Sequence, residues 1–338
     1  MDELSLSVLD QSPIRSGGTA AQALSETVAL AGYTEALGYH RYWIAEHHGS
    51  DSFAGCAPEV LLARLGAHTR HMRIGSGGVM LTHYSPYKVA ENFLLLQTLY
   101  PERVDLGLGR APGSDGLTAQ ALAYGSPIGV EYFRSKLADL MAFVRGQPAA
   151  TPAFRQVKAT PQVSVAPELW LLGSSEQSAI WAGEMGLRYS VAHFLNPHHS
   201  HDLAQIYREH FVPSELLAEP QINVGVFVLC APTREEAEDL ALTRDVWRLG
   251  LERGEPGPMP SVAEARAYPL TDSERELIQQ RRRHAICGTP AEVGELLRAL
   301  AARHGSRELV VISNCHDFSV RRRSYALLAQ EFGLQPRG

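Results

Sequence analysis

The sequence lacks the features of a secreted, membrane-spanning or nucleic-acid-binding protein. It has only four cysteines in 338 residues, and none shows the Cys-x-x-Cys spacing of a metal or redox site. No apolar run approaches the ~18 residues that cross a bilayer, and the first residues lack a signal peptide's apolar core. The net charge is −6, without a basic block that could follow a nucleic-acid backbone. We therefore expect a cytoplasmic enzyme with reduced thiols, acting without membrane or nucleic acid.

Short apolar runs alternate with helical segments along the whole chain. The runs that predict buried strands are 4–9, 41–45, 72–74, 104–108, 169–172, 187–191, 222–229 and 309–312. Strands that are apolar on both faces and joined by helices pair in parallel. The pattern predicts an α/β fold, a (β/α)8 TIM barrel with insertions that spans 1–338 as one domain. A doubly wound open sheet with a second domain is the alternative, and the glycine- and proline-rich stretch at about 248–284 is interpreted as an inserted excursion.

Glycines mark the predicted ends of the third and fourth strands. Gly77 and Gly78 follow the third strand, and Gly109 stands beside Arg110 at the end of the fourth. Active sites of parallel barrels lie at these ends, where glycine lets the backbone approach a ligand closely. Arg110 adds a permanently charged, planar fork that suits a phosphate group. Together the two strand ends indicate a phosphorylated cofactor.

The fifth predicted strand turns into a helix through Gly173, Ser174 and Ser175, with Ser178 in the first helical turn. Unpaired N–H groups at a helix start bind phosphate, although serine there is also typical of a plain helix cap. The two interpretations are compatible, and Arg110 on the neighbouring strand favours phosphate. A dinucleotide-binding fingerprint is excluded, because Pro112 occupies the place of its third glycine.

Several histidines follow predicted strands. Successive side chains on an extended segment point to opposite sides, so one of His47 and His48 is expected to face the barrel mouth while the other packs. The inward one is a candidate proton donor or acceptor, with a structural role as the alternative. The histidine-rich run 198–201 opens a helix without an evident carboxylate partner, so we predict no metal site there.

Ordered blocks of this sequence resemble the bacterial luciferase-like family of flavin-dependent monooxygenases. The likeness extends over nearly the whole chain and is most specific at 43–48, 74–79, 84–91, 101–113 and 172–175. The resemblance implies a TIM barrel, often dimeric, that binds reduced FMN at its carboxyl-terminal mouth. The implied cofactor-binding residues are Gly77, Gly78, Gly109, Arg110, Gly173, Ser174, Ser175 and Ser178.

The same resemblance assigns roles around the flavin ring. Gly77–Gly78 would match the family's non-prolyl cis peptide beneath the ring, and Glu46 and His47 would be catalytic, with His47 handling the proton. A substrate pocket is predicted at strand ends that carry Gln11, His83 and His193. Gly109 replaces the catalytic cysteine of the luciferase heterodimer, so no thiol assists the reaction here.

The implied activity is that of a two-component monooxygenase. A separate flavin reductase would supply reduced FMN, and one atom of O2 would enter a small organic substrate, aromatic or aldehyde-like. The alternatives are a hydride-transferring oxidoreductase that uses FMN or a deazaflavin, a non-catalytic flavin-binding protein, and a metal-dependent barrel hydrolase. We expect a homodimer.

Overall fold

The computed structural model describes residues 4–111, 113–124, 132–282 and 285–336, and within them the chain alternates between strands and helices. The strands are β1 (Ser5–Asp10), β2 (Arg41–Ile44), β3 (Arg73–Met80), β4 (Val104–Gly109), β5 (Glu168–Gly173), β6 (Arg188–Ala192), β7 (Ile222–Cys230), β8 (Ile286–Gly288) and β9 (Glu308–Ile312). The helices are α1 (Ala20–Ala36), α2 (Pro58–His68), α3 (Pro86–Leu99), α4 (Gly116–Ala123), α5 (Phe133–Val144), α6 (Glu176–Glu184), α7 (Ser200–Glu209), α8 (Arg234–Glu252), α9 (Val262–Ala267), α10 (Asp272–Arg282), α11 (Pro290–His304) and α12 (Phe318–Glu331).

The sheet closes into a barrel. Strands β1 to β7 pair with one another in chain order, β7 pairs with β9, and β9 pairs back with β1, all in parallel. This confirms the predicted (β/α)8 barrel and excludes the open doubly wound sheet. Strand β8 is an addition that was not predicted: it extends the carboxyl end of β7, where it pairs with Val228–Cys230.

Strand β3 continues beyond the point where its glycines were predicted to close it. It runs through Gly77 and Gly78 to Met80, and its register against β4 shifts between Ser76 and Val79. A Cβ atom on Gly78 would lie 2.7 Å from the carbonyl oxygen of Gly107, which is a backbone atom that cannot move aside. Gly78 is therefore required first by the close approach of β3 and β4, whereas a Cβ on Gly77 would meet the side chain of Leu9.

The region interpreted as an irregular excursion contains regular structure. Helix α8 continues to Glu252, and both α9 and α10 lie between 253 and 285. Helix α10 has a polar sequence in which only Ile278 is buried, and α9 is only 6 residues long, so neither has enough apolar periodicity to be predicted. Helix α4 was also not predicted. The sequence also predicts a helix over 127–145; its start at Pro127 lies outside the described residues, and α5 is the part that the structure describes.

Buried charges close the amino-terminal end of the barrel. Arg41 lies 2.7 Å from Asp105 Oδ2 and 2.6 Å from Glu308 Oε1, while the indole N–H of Trp43 also donates to Asp105. All three charged side chains are buried, and Asp105 is fully so. This ion network thus lies at the end of the barrel opposite to the carboxyl ends of the strands. Among the described residues no helix combines the length and apolarity needed to cross a bilayer.

Candidate active site

A cavity of about 360 Å³ opens at the carboxyl ends of the barrel strands. Most of the residues predicted from sequence meet at its wall: Gln11, Glu46, His47, Gly77, Gly78, Gly109, Arg110, Gly173, Ser174, Ser175 and Ser178. These residues come from β1, β2, β3, β4, β5 and the helix start that follows β5. The barrel brings them together because the carboxyl ends of its parallel strands form one rim.

One end of the cavity has the chemistry of an anion site. Ser175 caps helix α6, and its hydroxyl oxygen accepts the N–H of Ser178. The Arg110 guanidinium donates to the same oxygen across 3.4 Å and lies 5.7 Å from the ring centre of Trp181. Within the described part of the chain no carboxylate pairs with Arg110. A permanent positive charge and a helix start thus converge at one point, the combination that favours phosphate.

The serines of this end differ in how much they can offer a ligand. Ser178 is buried, and its hydroxyl is already engaged: it donates to the Ser175 carbonyl and lies 3.1 Å from the hydroxyl of Tyr189. A Cβ atom on Gly173 would collide with the Ser178 hydroxyl, which explains glycine at that position. The cap interpretation of Ser175 is confirmed. Ser174 and Ser175 remain the serines better placed to meet a ligand.

Another part of the cavity wall is apolar. The peptide bond between Gly77 and Gly78 is cis, as the resemblance implied. Leu9, Trp43 and Val310 line the cavity around these glycines and belong to the buried cluster inside the barrel. A Cβ atom on Gly77 would lie 2.6 Å from Leu9 Cδ1, so this surface has no room for a side chain. Such a surface suits the face of a planar ring.

Glu46 is held by three partners. Its Oε1 accepts the Tyr84 hydroxyl at 2.7 Å and lies 2.7 Å from His48 Nε2, while its Oε2 accepts the N–H of Met80. Burial, and next the charge of Glu46, raise the pKa of Tyr84 well above its usual value, so the phenol keeps its proton. Both oxygens of the carboxylate are thus committed to neighbouring protein groups.

His47 faces the cavity, whereas His48 pairs with Glu46 away from it; the predicted division of the two histidines is confirmed. The His47 ring stacks on Phe53, with 4.0 Å between ring centres. Its Nδ1 is buried and has no hydrogen-bond partner among the described residues. Burial, and to a lesser extent His48, lower the pKa of His47 to about 4. The imidazole is therefore neutral at neutral pH and retains a ring nitrogen that can accept a proton.

The predicted substrate-pocket residues are distributed over different places. Gln11 lines the cavity, where its side-chain oxygen accepts from Asn314 at 2.6 Å. His193 lies 2.8 Å from the Ser200 hydroxyl and lines a second, adjoining cavity. His83 is buried in the turn after β3 and lines neither of these two cavities. Phe53 was missed, because a lone aromatic residue in a loop has no periodic signal.

The histidine-rich run 198–201 has a carboxylate neighbour that the sequence did not predict. Its His199 lies 3.5 Å from Asp202, so the expectation that the run has no carboxylate partner is wrong. Both side chains are exposed, and such surface pairs contribute little. Over the described ranges no group of three or more histidine, cysteine, aspartate or glutamate side chains is close enough together to hold a metal ion.

The chain belongs to the luciferase-like monooxygenase family, whose model matches residues 4–307, and it is accordingly an enzyme of that class. N-acetyl-S-alkylcysteine monooxygenase of Bacillus subtilis (strain 168) is 39% identical over 96% of this chain and 97% of its own length. The crystal structure of apo-MsnO8 superimposes with a TM-score of 0.91 at 36% identity, covering 99% of this chain and 100% of that one.

A more distant structure shares the fold and contains a flavin. It is the oxygenating constituent of 3,6-diketocamphane monooxygenase from Pseudomonas putida, in complex with FMN. The TM-score is 0.71 at 17% identity, over 99% of both chains. The fold and the family that the sequence blocks resembled are therefore confirmed.

Proposed function

We propose that the protein binds FMN in the 360 Å³ cavity and uses its reduced form, with O2, to oxygenate a small organic substrate. The observation that carries the proposal is the meeting of Arg110 with Ser175 at the start of α6, on the rim of a cavity floored by Gly77–Gly78. This combination has a cationic group for a phosphate and an apolar wall for a ring.

The residues present fit FMN on chemical grounds. An amphipathic cofactor needs charged donors at one end and an apolar surface at the other, and this cavity has both. Arg110 has no competing carboxylate in the described chain, so a phosphate dianion would be its main counter-ion. The His47 ring nitrogen without a partner gives the cavity wall a hydrogen-bonding group that a bound molecule can satisfy.

When bound, reduced FMN would supply the two electrons with which O2 is divided between the substrate and water. The chain's own residues would position and protect this chemistry. Arg110, Ser174 and Ser175 would hold the phosphate, and the glycine surface would fix the plane of the ring. His47 would accept or return one proton at a ring nitrogen, since its imidazole is neutral at working pH. Glu46 would act as a positioning residue.

An anaerobic titration followed by exposure to air tests the proposal. The protein is titrated with reduced FMN and, in parallel, with a reduced deazaflavin, and is then mixed with O2 in a stopped-flow spectrometer. We expect tight binding of reduced FMN that Arg110→Ala weakens. Arg134→Ala is the matched control, because Arg134 is an exposed arginine paired with Glu184. Reoxidation of FMN at the rate of the free flavin would refute the proposed function.

Product analysis then separates oxygen transfer from hydride transfer. With a separate flavin reductase, NADH and 18O-labelled O2, we would assay N-acetyl-S-methylcysteine and decanal. The first is chosen because the 39% identical relative is named for that class of substrate. One labelled oxygen atom in the product supports the monooxygenase. Turnover under strict anaerobiosis with the deazaflavin would instead establish a hydride-transferring oxidoreductase.

A further inference from the structure

A second cavity, of about 530 Å³, adjoins the proposed cofactor cavity. Phe194 and Leu195 line both and so form a shared wall. The far side of the second cavity is built by α8 and α10, from which Arg244, Arg248 and Arg281 contribute to the lining. These three arginines thus surround one concave space. Whether they can bind an anion depends on how far nearby carboxylates already neutralise them.

Arg244 is a buried guanidinium without a carboxylate of its own. Its Nη2 reaches Asp245 Oδ1 only at 3.4 Å, whereas Arg282 contacts the other oxygen of Asp245 at 2.7 Å. Arg244 is 9% exposed and lies 5.9 Å from the ring centre of Phe227. A charge in such surroundings is unfavourable unless a full counter-ion and hydrogen bonds compensate for the lost water. Asp245 supplies half of that compensation because it serves two arginines.

The same sharing recurs one helical turn further along α8. Arg248 Nε lies 3.1 Å from one oxygen of Glu252, and Arg281 Nη2 lies 2.6 Å from the other. Within the described residues, the two groups together hold four guanidinium ions and two carboxylates, which leaves them a net charge of +2. Arg244, Asp245, Arg248 and Arg281 line the cavity, and Arg282 and Glu252 lie behind them. The excess positive charge lies beside a half-open cavity, with Arg244 buried and Arg248 and Arg281 partly exposed.

We propose that the second cavity binds the carboxylate group of an organic anion, which is the substrate of the monooxygenase. The inference rests on the proposed function for the identity of the neighbouring cavity. A carboxylate matches the planar fork of arginine in two-pronged hydrogen bonds. The other wall is apolar, with Phe194, Leu195 and Phe227. The substrate's apolar part would therefore extend along Phe194 toward the cavity that holds the flavin, and its charged end would stay among the arginines.

Binding measurements on the flavin-free protein test this inference without turnover. Octanoate and its uncharged isostere octanamide are titrated into the protein by calorimetry, at low and high chloride concentration. We expect octanoate to bind at least roughly tenfold more tightly than octanamide, as charge-assisted hydrogen bonds do. Chloride should weaken the binding of octanoate alone. Equal affinities for the two probes, or no measurable octanoate binding, would overturn the inference.

Charge-removing variants locate the site. Arg248→Gln and Arg281→Gln, both on partly exposed side chains, should each weaken octanoate binding roughly tenfold and leave octanamide unaffected. Arg244→Gln is a third variant, more demanding for folding because the residue is buried. Arg234→Gln is the matched control: it lies on the same helix, pairs with Glu292 and does not line this cavity. If Arg248→Gln and Arg281→Gln both bind octanoate as tightly as the wild-type protein does, the inference is contradicted.

Titration of the same variants with FMN keeps the two proposals apart. If FMN binds to every variant while octanoate binding is independent of the arginines, the anion site is wrong and the flavin site stands. If octanoate binding depends on the arginines but FMN does not bind the wild-type protein, the proposed function fails and the anion site stands. Both proposals gain support if Arg248→Gln loses octanoate and keeps FMN.

Discussion

Replacing His47 by glutamine should make the protein's stability less sensitive to acid. The ring is stacked on Phe53, its Nδ1 is buried without a partner, and burial lowers its pKa from the ordinary 6.5 to about 4. Between these two pH values the unfolded chain binds a proton at His47 and the folded chain does not. The free energy of unfolding must therefore fall as the pH drops from about 6.5, and the loss is complete only below about 4.

The size of this effect follows from the two pKa values. They differ by about 2.5, and one pKa unit corresponds to about 1.4 kcal/mol, which sets an upper limit of roughly 3 kcal/mol. The ring is partly exposed at the cavity wall, where solvent reduces the penalty for a charge. We expect wild-type protein to lose about 1–3 kcal/mol more than His47→Gln over this pH range.

Urea unfolding at a series of pH values from 7 to 4 measures the difference between the two proteins. Phe53→Leu is the control: it removes the stacked ring but keeps the imidazole, so stability should fall while the pH dependence remains. Subtracting the pH dependence of His47→Gln from that of the wild-type protein removes the contributions of the other titrating groups. If His47→Gln loses as much stability as wild type between pH 6.5 and 4, His47 is not a buried neutral imidazole, and its proposed role as a proton acceptor fails with it.

Three further substitutions probe the cavity and its support. Arg110→Lys keeps the charge but loses the fork, so the Kd for FMN, read from flavin fluorescence, should rise roughly tenfold; an unchanged Kd would place the phosphate elsewhere. Gly78→Ala forces a Cβ atom to within 2.7 Å of a β4 carbonyl and should lower the Tm by several degrees, whereas Gly116→Ala, with open space around it, should not. Asp105→Asn removes one of the two close carboxylates of the buried Arg41 and leaves Glu308 in place, so denaturant unfolding should show a loss of about 3 kcal/mol, the lower end for breaking a buried pair; a neutral result would mean that water already reaches this network.

The barrel was predictable because its strands are short and apolar and because each is separated from the next by a helix. The boundaries of β3 were not predictable in the same way. Glycine ordinarily ends a strand pattern, but here Gly77 and Gly78 lie inside a strand, since a Cβ on Gly78 would meet the backbone of β4 and a Cβ on Gly77 would meet Leu9. That reason is a tertiary distance, which no local pattern contains. The polar helix α10 was missed because only one of its side chains is buried, so its sequence has no apolar periodicity.

The convergence of Arg110 and Ser175 was predictable, since parallel strands place their carboxyl ends on one rim. The strand pattern alone did not choose between His47 and His48; the family resemblance did. Alternation along a strand shows that neighbours point to opposite sides, but the phase of the alternation depends on how the strand sits in the barrel. The arginines of the second cavity were beyond sequence reasoning as well: Arg244 and Arg248 share a face of α8, yet only the fold brings α10 against them.

The two residues predicted to be catalytic have different constraints, and the difference follows from their hydrogen bonds. Glu46 has both carboxylate oxygens engaged with neighbouring protein groups: Oε1 contacts Tyr84 and His48, and Oε2 accepts the N–H of Met80. His47 has a ring nitrogen that no described residue satisfies, on the wall of the cavity itself. A buried polar atom without a hydrogen-bond partner lowers the stability of the folded protein. A ligand that forms a hydrogen bond with this atom would remove that penalty. The side chain least satisfied by the protein is thus the one best prepared to meet a ligand, while the fully bonded carboxylate beside it holds the loop in place.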